Sequence, residues 1–354
     1  MIDTILLSNY KQFFSLELNN LKRINIFSGK NNTGKTSILE ALFMLYDRGT
    51  PDFTLRQFAW RGVSAIELSA SSLWQPIFNN FDLSKKISIE VHDSGHKNKA
   101  IYSHIKNFNS IVTSPQKNAE QGKIFTSGQS FTESLRTEYI TDNVNSGMTN
   151  LFINGDNISM KNDLLQQIER RAVFIHSSAK GNTAEDAERL GKIEIETGLD
   201  EIINYLKIIE PRLTDLSIIP HGQQTLIYGD IGLSKKIPIS YMGEGITKLL
   251  SILVTIATTP KGVICIDEIE NGIHYSLFSK IWEIIETLAK KYQCQLFITT
   301  HSYDAILGVS EFYKDSNKDT VAFIRLDMVD NKISPKIYNS STLIAALENK
   351  WEVR

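Results

Sequence analysis

The residues best suited to chemistry form one short run near the start of the chain. Gly29-Lys30-Asn31-Asn32-Thr33-Gly34-Lys35-Thr36 fits the pattern G-x-x-x-x-G-K-[ST] in full, and Ser37 follows it. In such a loop at a helix N-terminus, backbone N–H groups cradle phosphate oxygens. We expect Lys35 to contact the β- and γ-phosphates and the Thr36 hydroxyl to bind Mg²⁺. The run therefore predicts a nucleotide site, because an apolar strand precedes it and a helical pattern follows.

A pair of carboxylates follows the apolar run Val263–Ile266 much later in the chain. Asp267 comes directly after this run and Glu268 is next. A buried parallel strand delivers its terminal carboxylate to the carboxyl edge of the sheet, where ligands of open α/β sheets bind. We therefore expect Asp267 to bind Mg²⁺ and Glu268 to act as a general base on an attacking water. The alternative is a buried strand that happens to end in a surface acidic pair.

A histidine ends the next apolar strand. His301 follows Ile298-Thr299-Thr300 and lies 33 residues after Glu268. A histidine at this strand end can hydrogen-bond the γ-phosphate and so respond to its presence. The alternative is a core histidine whose hydrogen bonds are satisfied within the protein. The position at the end of a strand favours the phosphate contact over this alternative.

A turn rich in glycine lies upstream of the acidic strand. Ser240, Gly243, Glu244 and Gly245 belong to the stretch that opens the helix beginning at Ile246. Glycines that open a helix present free N–H groups to an anion, so these four residues are candidate phosphate contacts. A plain β–α turn is the alternative.

The elements that must position these residues alternate between strands and helices in the second half of the chain. Strands are expected at 5–7, 24–27, 87–91, 101–105, 172–177, 225–228, 263–266, 295–299, 321–326 and 332–338, and helices at 37–43, 162–170, 199–209, 245–257, 275–291 and 341–349. This rhythm predicts a mostly parallel sheet with helices on both faces. The polar stretch 107–150 predicts short strands and long loops.

The spacing of the two half-sites indicates the subclass. Lys35 and Asp267 lie 232 residues apart. The earlier acidic candidate, Asp93, ends a stretch that alternates as an exposed strand does. A late acidic strand implies a large inserted segment, which is the layout of ABC-type ATPase heads. We predict one α/β P-loop NTPase domain over 1–354. It comprises an N-terminal lobe (1–100) with antiparallel strands, a polar variable insert (101–160) and a C-terminal lobe (161–354).

These elements, in this order, resemble the ABC-type ATPases of the OLD (overcoming lysogenization defect) and RecF/SMC-like group. The likeness is greatest to stand-alone ATPases of that group linked to phage defence. It rests on Asn9 to Phe13, Gly29 to Leu42, Met242 to Gly245, Ile266 to His274 and Thr299 to Ser302. It covers residues 1–50 and about 165–354 well.

The resemblance implies a head-to-tail dimer with two ATP molecules between the copies. Each ATP would contact the phosphate loop of one copy and the Gly243–Gly245 element of the other. The loop that crosses between the sites would contain Glu270, Asn271 and His274. One departure is Tyr241, which stands where the family usually has serine. Gln75, and less so Gln57, are candidates for the family's Q-loop glutamine.

The resemblance also bears on partners. OLD proteins proper carry a C-terminal TOPRIM nuclease of about a hundred residues, whereas 52 residues follow Ser302 here. We therefore expect a nuclease effector in trans, as in PARIS-type two-component systems. The expected function is an ATPase that senses invasion; the alternative is a RecF/SMC-like ATPase that binds DNA.

The net charge of −2 gives no global bias toward nucleic acid. The composition predicts a cytoplasmic protein without a membrane segment.

Overall fold

A computed structural model describes residues 1–48, 56–58, 63, 67–116, 124–154, 157–166, 170–177, 183–222, 224–314, 320–330 and 332–354. The strands are β1 (Ile2–Tyr10), β2 (Phe13–Leu18), β3 (Ile24–Gly29), β4 (Ile87–Asp93), β5 (His96–Gln116), β6 (Ile124–Thr141), β7 (Val144–Asn154), β8 (Asn157–Asp163), β9 (Ala172–Ile175), β10 (Asp215–His221), β11 (Gln224–Asp230), β12 (Ile237–Pro238), β13 (Val263–Ile266), β14 (Gln295–Thr299), β15 (Val321–Val329) and β16 (Lys332–Tyr338). The helices discussed below are α1 (Lys35–Tyr46), α2 (Ala70–Leu73), α3 (Thr183–Glu196), α4 (Asp200–Leu206), α5 (Glu244–Thr258), α6 (Phe278–Lys291), α7 (Tyr303–Lys314) and α8 (Ser340–Glu348).

A six-stranded sheet forms the centre of the fold, in the order β16-β15-β3-β14-β13-β9. Its neighbours from β15 to β9 are parallel, and β16 adds an antiparallel edge. Strands β13 and β14 are buried along their whole length, as continuous apolar runs in parallel sheets are. This sheet confirms the predicted α/β P-loop fold class.

The alternation of side chains along β13 separates two cores, one on each face of the sheet. Val263 and Cys265 pack on the face that α1 covers. Ile264 and Ile266 pack on the opposite face, with α3 to α8. Because side chains alternate strictly along a strand, the next odd position, Asp267, is directed to the same face as α1.

A seven-stranded antiparallel sheet lies beyond α1, in the order β2-β1-β4-β5-β6-β7-β8. It corrects the expectation of short strands and long loops over 107–150, since β5 has 21 residues and β6 has 18. An antiparallel strand needs apolar residues only on its core face, so a polar sequence still forms one. The boundary expected at residue 100 falls inside β5, and the insert continues the antiparallel sheet of the N-terminal lobe.

Most of the predicted helices lie near their predicted positions, but their first or last residues differ from the prediction. The helix expected over 162–170 is wrong where it is described: β8 extends to Asp163 and residues 164–166 are not helical, while 167–169 lie outside the described residues. The helix expected at 275–291 begins with a 3₁₀ turn, Tyr275–Leu277, before α6. No helix in the described ranges is long and apolar enough to cross a membrane.

Both cysteines are unpaired and buried, as the apolar runs around them predicted. Burial raises the pKa of the Cys294 thiol to about 11. Burial also raises the pKa of Cys265, whose Sγ faces the carbonyl oxygen of Leu39 in α1 at 3.6 Å. Both thiols are therefore protonated at neutral pH and act as small core side chains.

An ion pair joins the two large sheets near the N-terminus. Asp93, at the end of β4, contacts the guanidinium of Arg170 at 2.5 Å and the N-terminal ammonium at 3.0 Å. The Tyr46 hydroxyl donates to the same carboxylate at 3.1 Å. Burial by itself would raise the pKa of Asp93, but Arg170 and the N-terminal ammonium outweigh it, and the pKa is lowered.

Replacement of Asp93 by asparagine is expected to lower the free energy of unfolding at pH 7 by about 3 kcal/mol, because the partly buried Arg170 guanidinium loses the negative charge that it pairs with. Since the folded-state pKa lies below the unfolded one, the wild-type advantage is present above about pH 4 and is lost as pH falls through the folded-state value. Urea unfolding at pH 7 and pH 3 measures both effects. Asp215→Asn, which removes an exposed pair with Lys236, is the control and should cost less than about 1 kcal/mol. Equal costs for the two variants would contradict the assignment.

Candidate functional site

The phosphate-binding loop connects the end of β3 to the start of α1. Gly34 sits at the N-cap of α1 with φ 90°, a left-handed conformation that favours glycine. A side chain there would also overlap Gln12 and the ring of Phe13. Among the described residues no side chain caps α1, so its first N–H groups remain available to an anion. The predicted strand–loop–helix arrangement is present.

Lys35 is folded back over this loop. Its ammonium group donates to the carbonyl oxygens of Gly29 and Lys30, both at 2.8 Å. The side chain is only 5% exposed, and burial lowers its pKa to about 8 although three nearby carboxylates oppose the shift. A bound triphosphate would supply the negative charge that this buried cation lacks.

The two predicted metal ligands meet at the edge of the central sheet. The Thr36 hydroxyl donates to Asp267 Oδ1 at 2.9 Å across 231 residues of sequence. Thr299, which ends β14, donates to the same oxygen at 2.7 Å. Burial raises the pKa of Asp267, and the two hydroxyls only partly offset it. A buried carboxylate whose charge is this weakly compensated is suited to a cation.

The donor set fits Mg²⁺ held together with a nucleotide. Hydroxyl and carboxylate oxygens are hard ligands, and Mg²⁺ commonly takes one or two of them plus substrate phosphates. Within the described part of the chain, no group of three or more His, Cys, Asp or Glu could hold a metal alone. Thr36 and Asp267 would therefore hold the ion, which when bound neutralises charge on the phosphates.

Glu268 adopts a left-handed backbone conformation with φ 46°, which turns the chain out of β13. Its N–H donates to Thr299 Oγ1 at 2.8 Å, and its carboxylate accepts a hydrogen bond from the amide of Asn271 at 2.9 Å. A non-glycine residue held at positive φ is uncommon and marks a constrained position. The Asn271 contact orients the carboxylate beside Asp267, as a general base requires.

His301 lies on the wall of the nucleotide cleft. Its backbone N–H donates to Glu270 Oε1 at 2.6 Å, which joins the end of β14 to the loop after β13. Burial, together with the positive charge of Lys35, lowers the pKa of the imidazole. A neutral imidazole at pH 7 can donate or accept one hydrogen bond, which suits contact with a phosphate.

The cleft beside the loop has a volume of about 1010 Å³. The predicted residues that line it are Asn31, Asn32, Gly34, Lys35, Thr36, Ser37 and His301. Thr33 is buried instead, where its hydroxyl donates to the carbonyl of Lys30 at 2.9 Å and braces the loop. The volume is in the range of nucleotide and cofactor sites.

Two aromatic residues that no sequence motif indicated also line this cleft. Phe14 and Phe81 line it with rings that are 64% and 62% exposed. Exposed aromatic rings beside a phosphate site can stack on a base. The available signal was the Phe13-Phe14 pair: strand alternation buries Phe13 in the core and therefore exposes Phe14.

The order of the two glutamine candidates is also corrected. Gln57 lines the cleft, whereas Gln75 does not and donates to the carbonyl of Phe81 at 3.1 Å. Gln12 lines the cleft as well and accepts a hydrogen bond from Ser37 at 3.3 Å. Local sequence could not rank them, because the path of the chain between β3 and β4 decides which amide reaches the phosphate loop.

The turn that contains Ser240, Gly243, Glu244 and Gly245 lies outside the cleft of its own chain. Ser240, Gly243 and Glu244 are exposed, and Tyr241 is 80% exposed. Gly245 differs, because it is buried and an added Cβ would overlap the carbonyl oxygen of Gly272. Gly245 therefore permits close packing of α5 against the loop after β13.

A buried lysine on α5 was also missed. Lys248 is fully buried and donates to the backbone carbonyls of His176 at 2.8 Å and Asp267 at 2.9 Å. Burial lowers its pKa to about 8, and Asp267, Glu268 and Glu270 oppose the shift. A lysine at a core position of a helical pattern was the available signal, since lysine is rarely buried without partners.

The fold and the site together define a P-loop ATPase domain, and its fold resembles that of SMC heads. A protein-family model described as "AAA domain, putative AbiEii toxin, Type IV TA system" matches residues 24–308. The chain belongs to this family of AAA-type ATPases.

The chain is also similar to individual proteins. An "ATP/GTP phosphatase" of Helicobacter pylori is 26% identical, with 99% of each chain covered. An uncharacterized protein of Methanocaldococcus jannaschii is 46% identical over 67 residues, which cover 18% of this chain and 31% of that protein. The crystal structure of an SMC head bound to the C-winged helix domain of ScpA has a TM-score of 0.50 at 11% identity, covering 98% and 99% of the two chains. At this identity the structural likeness shows the fold alone.

Proposed function

We propose that this protein hydrolyses ATP and that two copies close around it, as a switch that controls an effector protein. The hydrogen bond between Thr36 and Asp267 carries the proposal, because it assembles the Mg²⁺ ligands from both ends of the chain beside Lys35. Glu268 and His301 add a base and a phosphate contact at the same sheet edge. The similarity to an ATP/GTP phosphatase supports hydrolysis.

The exposed Ser240–Glu244 turn supports closure around ATP. It lines no part of its own cleft, although it leads into the N-terminus of α5, where free N–H groups are suited to a phosphate. A second copy, packed head to tail, would bring this turn to the first copy's γ-phosphate. Each ATP would then lie between two chains.

A dimerisation experiment tests this arrangement. The Glu268→Gln variant is expected to form a dimer in native mass spectrometry with Mg²⁺ and ATP, and to stay monomeric without nucleotide. Adding Tyr241→Asp should abolish the dimer, because it places negative charge where the partner's phosphates would lie. Val144→Asp, at another exposed apolar residue, is the control. A Glu268→Gln protein that remains monomeric with ATP would contradict the proposal.

The proposed setting is defence against phage, with a nuclease as the effector in trans. The family description supports a role in such a conflict system, since it names a toxin and a toxin–antitoxin system. Plaque counts on cells that carry this gene with its genomic neighbours should fall relative to cells with Lys35→Met. Equal plaque counts would remove the defence role but leave the ATPase proposal standing. DNA binding that strengthens with ATP and weakens with salt would instead favour the RecF/SMC-like alternative.

A further inference from the structure

Lys248 joins α5 to the ends of two strands of the central sheet through backbone contacts. Its ammonium group bonds the carbonyl of Asp267, directly after β13, and that of His176, directly after β9. One cation on α5 thus bonds the carboxyl ends of two neighbouring strands. Burying a lysine is costly unless its donors are satisfied, so these contacts constrain where α5 sits.

A second contact joins the same elements three residues earlier on α5. Gly245 packs against the backbone of Gly272 so closely that neither position has room for a side chain. Gly272 follows Asn271, whose amide bonds Glu268. The start of α5, which carries the exposed Ser240–Glu244 turn, is therefore connected to the backbone of Asp267 through Lys248 and to the loop that holds Glu268 through Gly245.

We propose that Lys248 is a positioning residue that couples Mg²⁺–ATP at Asp267 to the placement of the Ser240–Glu244 turn, the surface offered to a second copy. This inference rests on the proposed dimerisation. A cation held by Asp267 would compete with the hydroxyls of Thr36 and Thr299 for the carboxylate, and the Asp267 carbonyl that Lys248 bonds belongs to the same residue. Lys248 and Gly245 would transmit a resulting shift of Asp267 to the first turns of α5, because close-packed elements move as units.

The test separates binding within one chain from association between chains. In the Glu268→Gln background, Lys248→Met keeps the approximate length of the side chain. It removes the ammonium group and with it the hydrogen bonds to the carbonyls of His176 and Asp267. We expect the affinity of the monomer for a fluorescent ATP analogue to change by less than about twofold. The dissociation constant of the ATP-bound dimer, from analytical ultracentrifugation, should rise about tenfold or more, as loss of charge-assisted hydrogen bonds would cause. Lys280→Met, at an exposed position on α6, is the control and should change neither.

The outcomes distinguish failure of the coupling through Lys248 from failure of the proposed dimerisation. Equal dimer strength with and without Lys248→Met overturns the coupling alone. A parallel loss of ATP affinity and dimer strength also overturns it, since that pattern indicates a purely structural lysine. Absence of an ATP-dependent dimer in Glu268→Gln itself contradicts the proposed function.

Hydrogen exchange provides a measurement without any change at Lys248, in case Lys248→Met does not fold. At concentrations below dimerisation, ATP should slow amide exchange about tenfold in residues 239–248 of the Glu268→Gln monomer. Unchanged exchange in this segment overturns the coupling.

Discussion

Replacement of Glu268 by glutamine is expected to lower the turnover of ATP about a hundredfold to ten-thousandfold, the range that a positioned general base contributes. Glutamine keeps the size of the side chain and can still contact Asn271, so ATP affinity should change little. Phosphate release at saturating ATP measures the turnover, and equilibrium binding of a fluorescent ATP analogue measures the affinity.

The geometry explains why the effect should fall on catalysis and not on binding. Glu268 is held by its own N–H on Thr299 and by the amide of Asn271, and neither contact involves the phosphate loop. Glu283→Gln, at an exposed position of α6, is the matched control and should retain wild-type turnover. Turnover within threefold of wild type in Glu268→Gln would assign the base to another group.

Replacement of Lys35 by methionine should reduce kcat/KM for ATP about a hundredfold to a thousandfold. Methionine approximates the length of the lysine but removes the charge and the donors that would contact the β- and γ-phosphates. A hydrogen bond to a charged group contributes at least about 1.5 kcal/mol, and two contacts of roughly 1.5–2 kcal/mol each account for this range. Phosphate release and analogue binding should both fall, in contrast to Glu268→Gln.

Lys30→Met is a stringent control for this result. Lys30 belongs to the same loop, but its side chain is exposed and only its carbonyl contacts Lys35. The substitution should therefore leave activity within about twofold of wild type, as substitutions at exposed side chains usually do. If Lys30→Met lost as much activity as Lys35→Met, loop charge and not the position of one ammonium group would explain the loss.

The local sequence pattern predicted an element correctly where a few consecutive residues contain the whole structural signal. Strands β13 and β14 have the predicted bounds, since a continuous apolar run followed by polar residues describes a strand buried on both faces. The loop before α1 was found for the same reason, because each of its residue types serves a local requirement. Patterns with weaker apolar content were less informative: the polar stretch 107–150 predicts short strands and long loops, whereas β5 and β6 are long paired strands, because backbone pairing needs no particular side chain.

The amino-acid sequence by itself determined the fold class, the phosphate-binding loop and the acidic strand end of this AAA-family protein. Only the tertiary structure decided that Thr36 meets Asp267, that Gln57 lines the cleft while Gln75 does not, and that Lys248 bonds two strand ends. These contacts join residues distant in the chain, and the order of strands in a sheet sets which of them meet. Periodicity reports which face of an element is buried, but not which neighbour covers it.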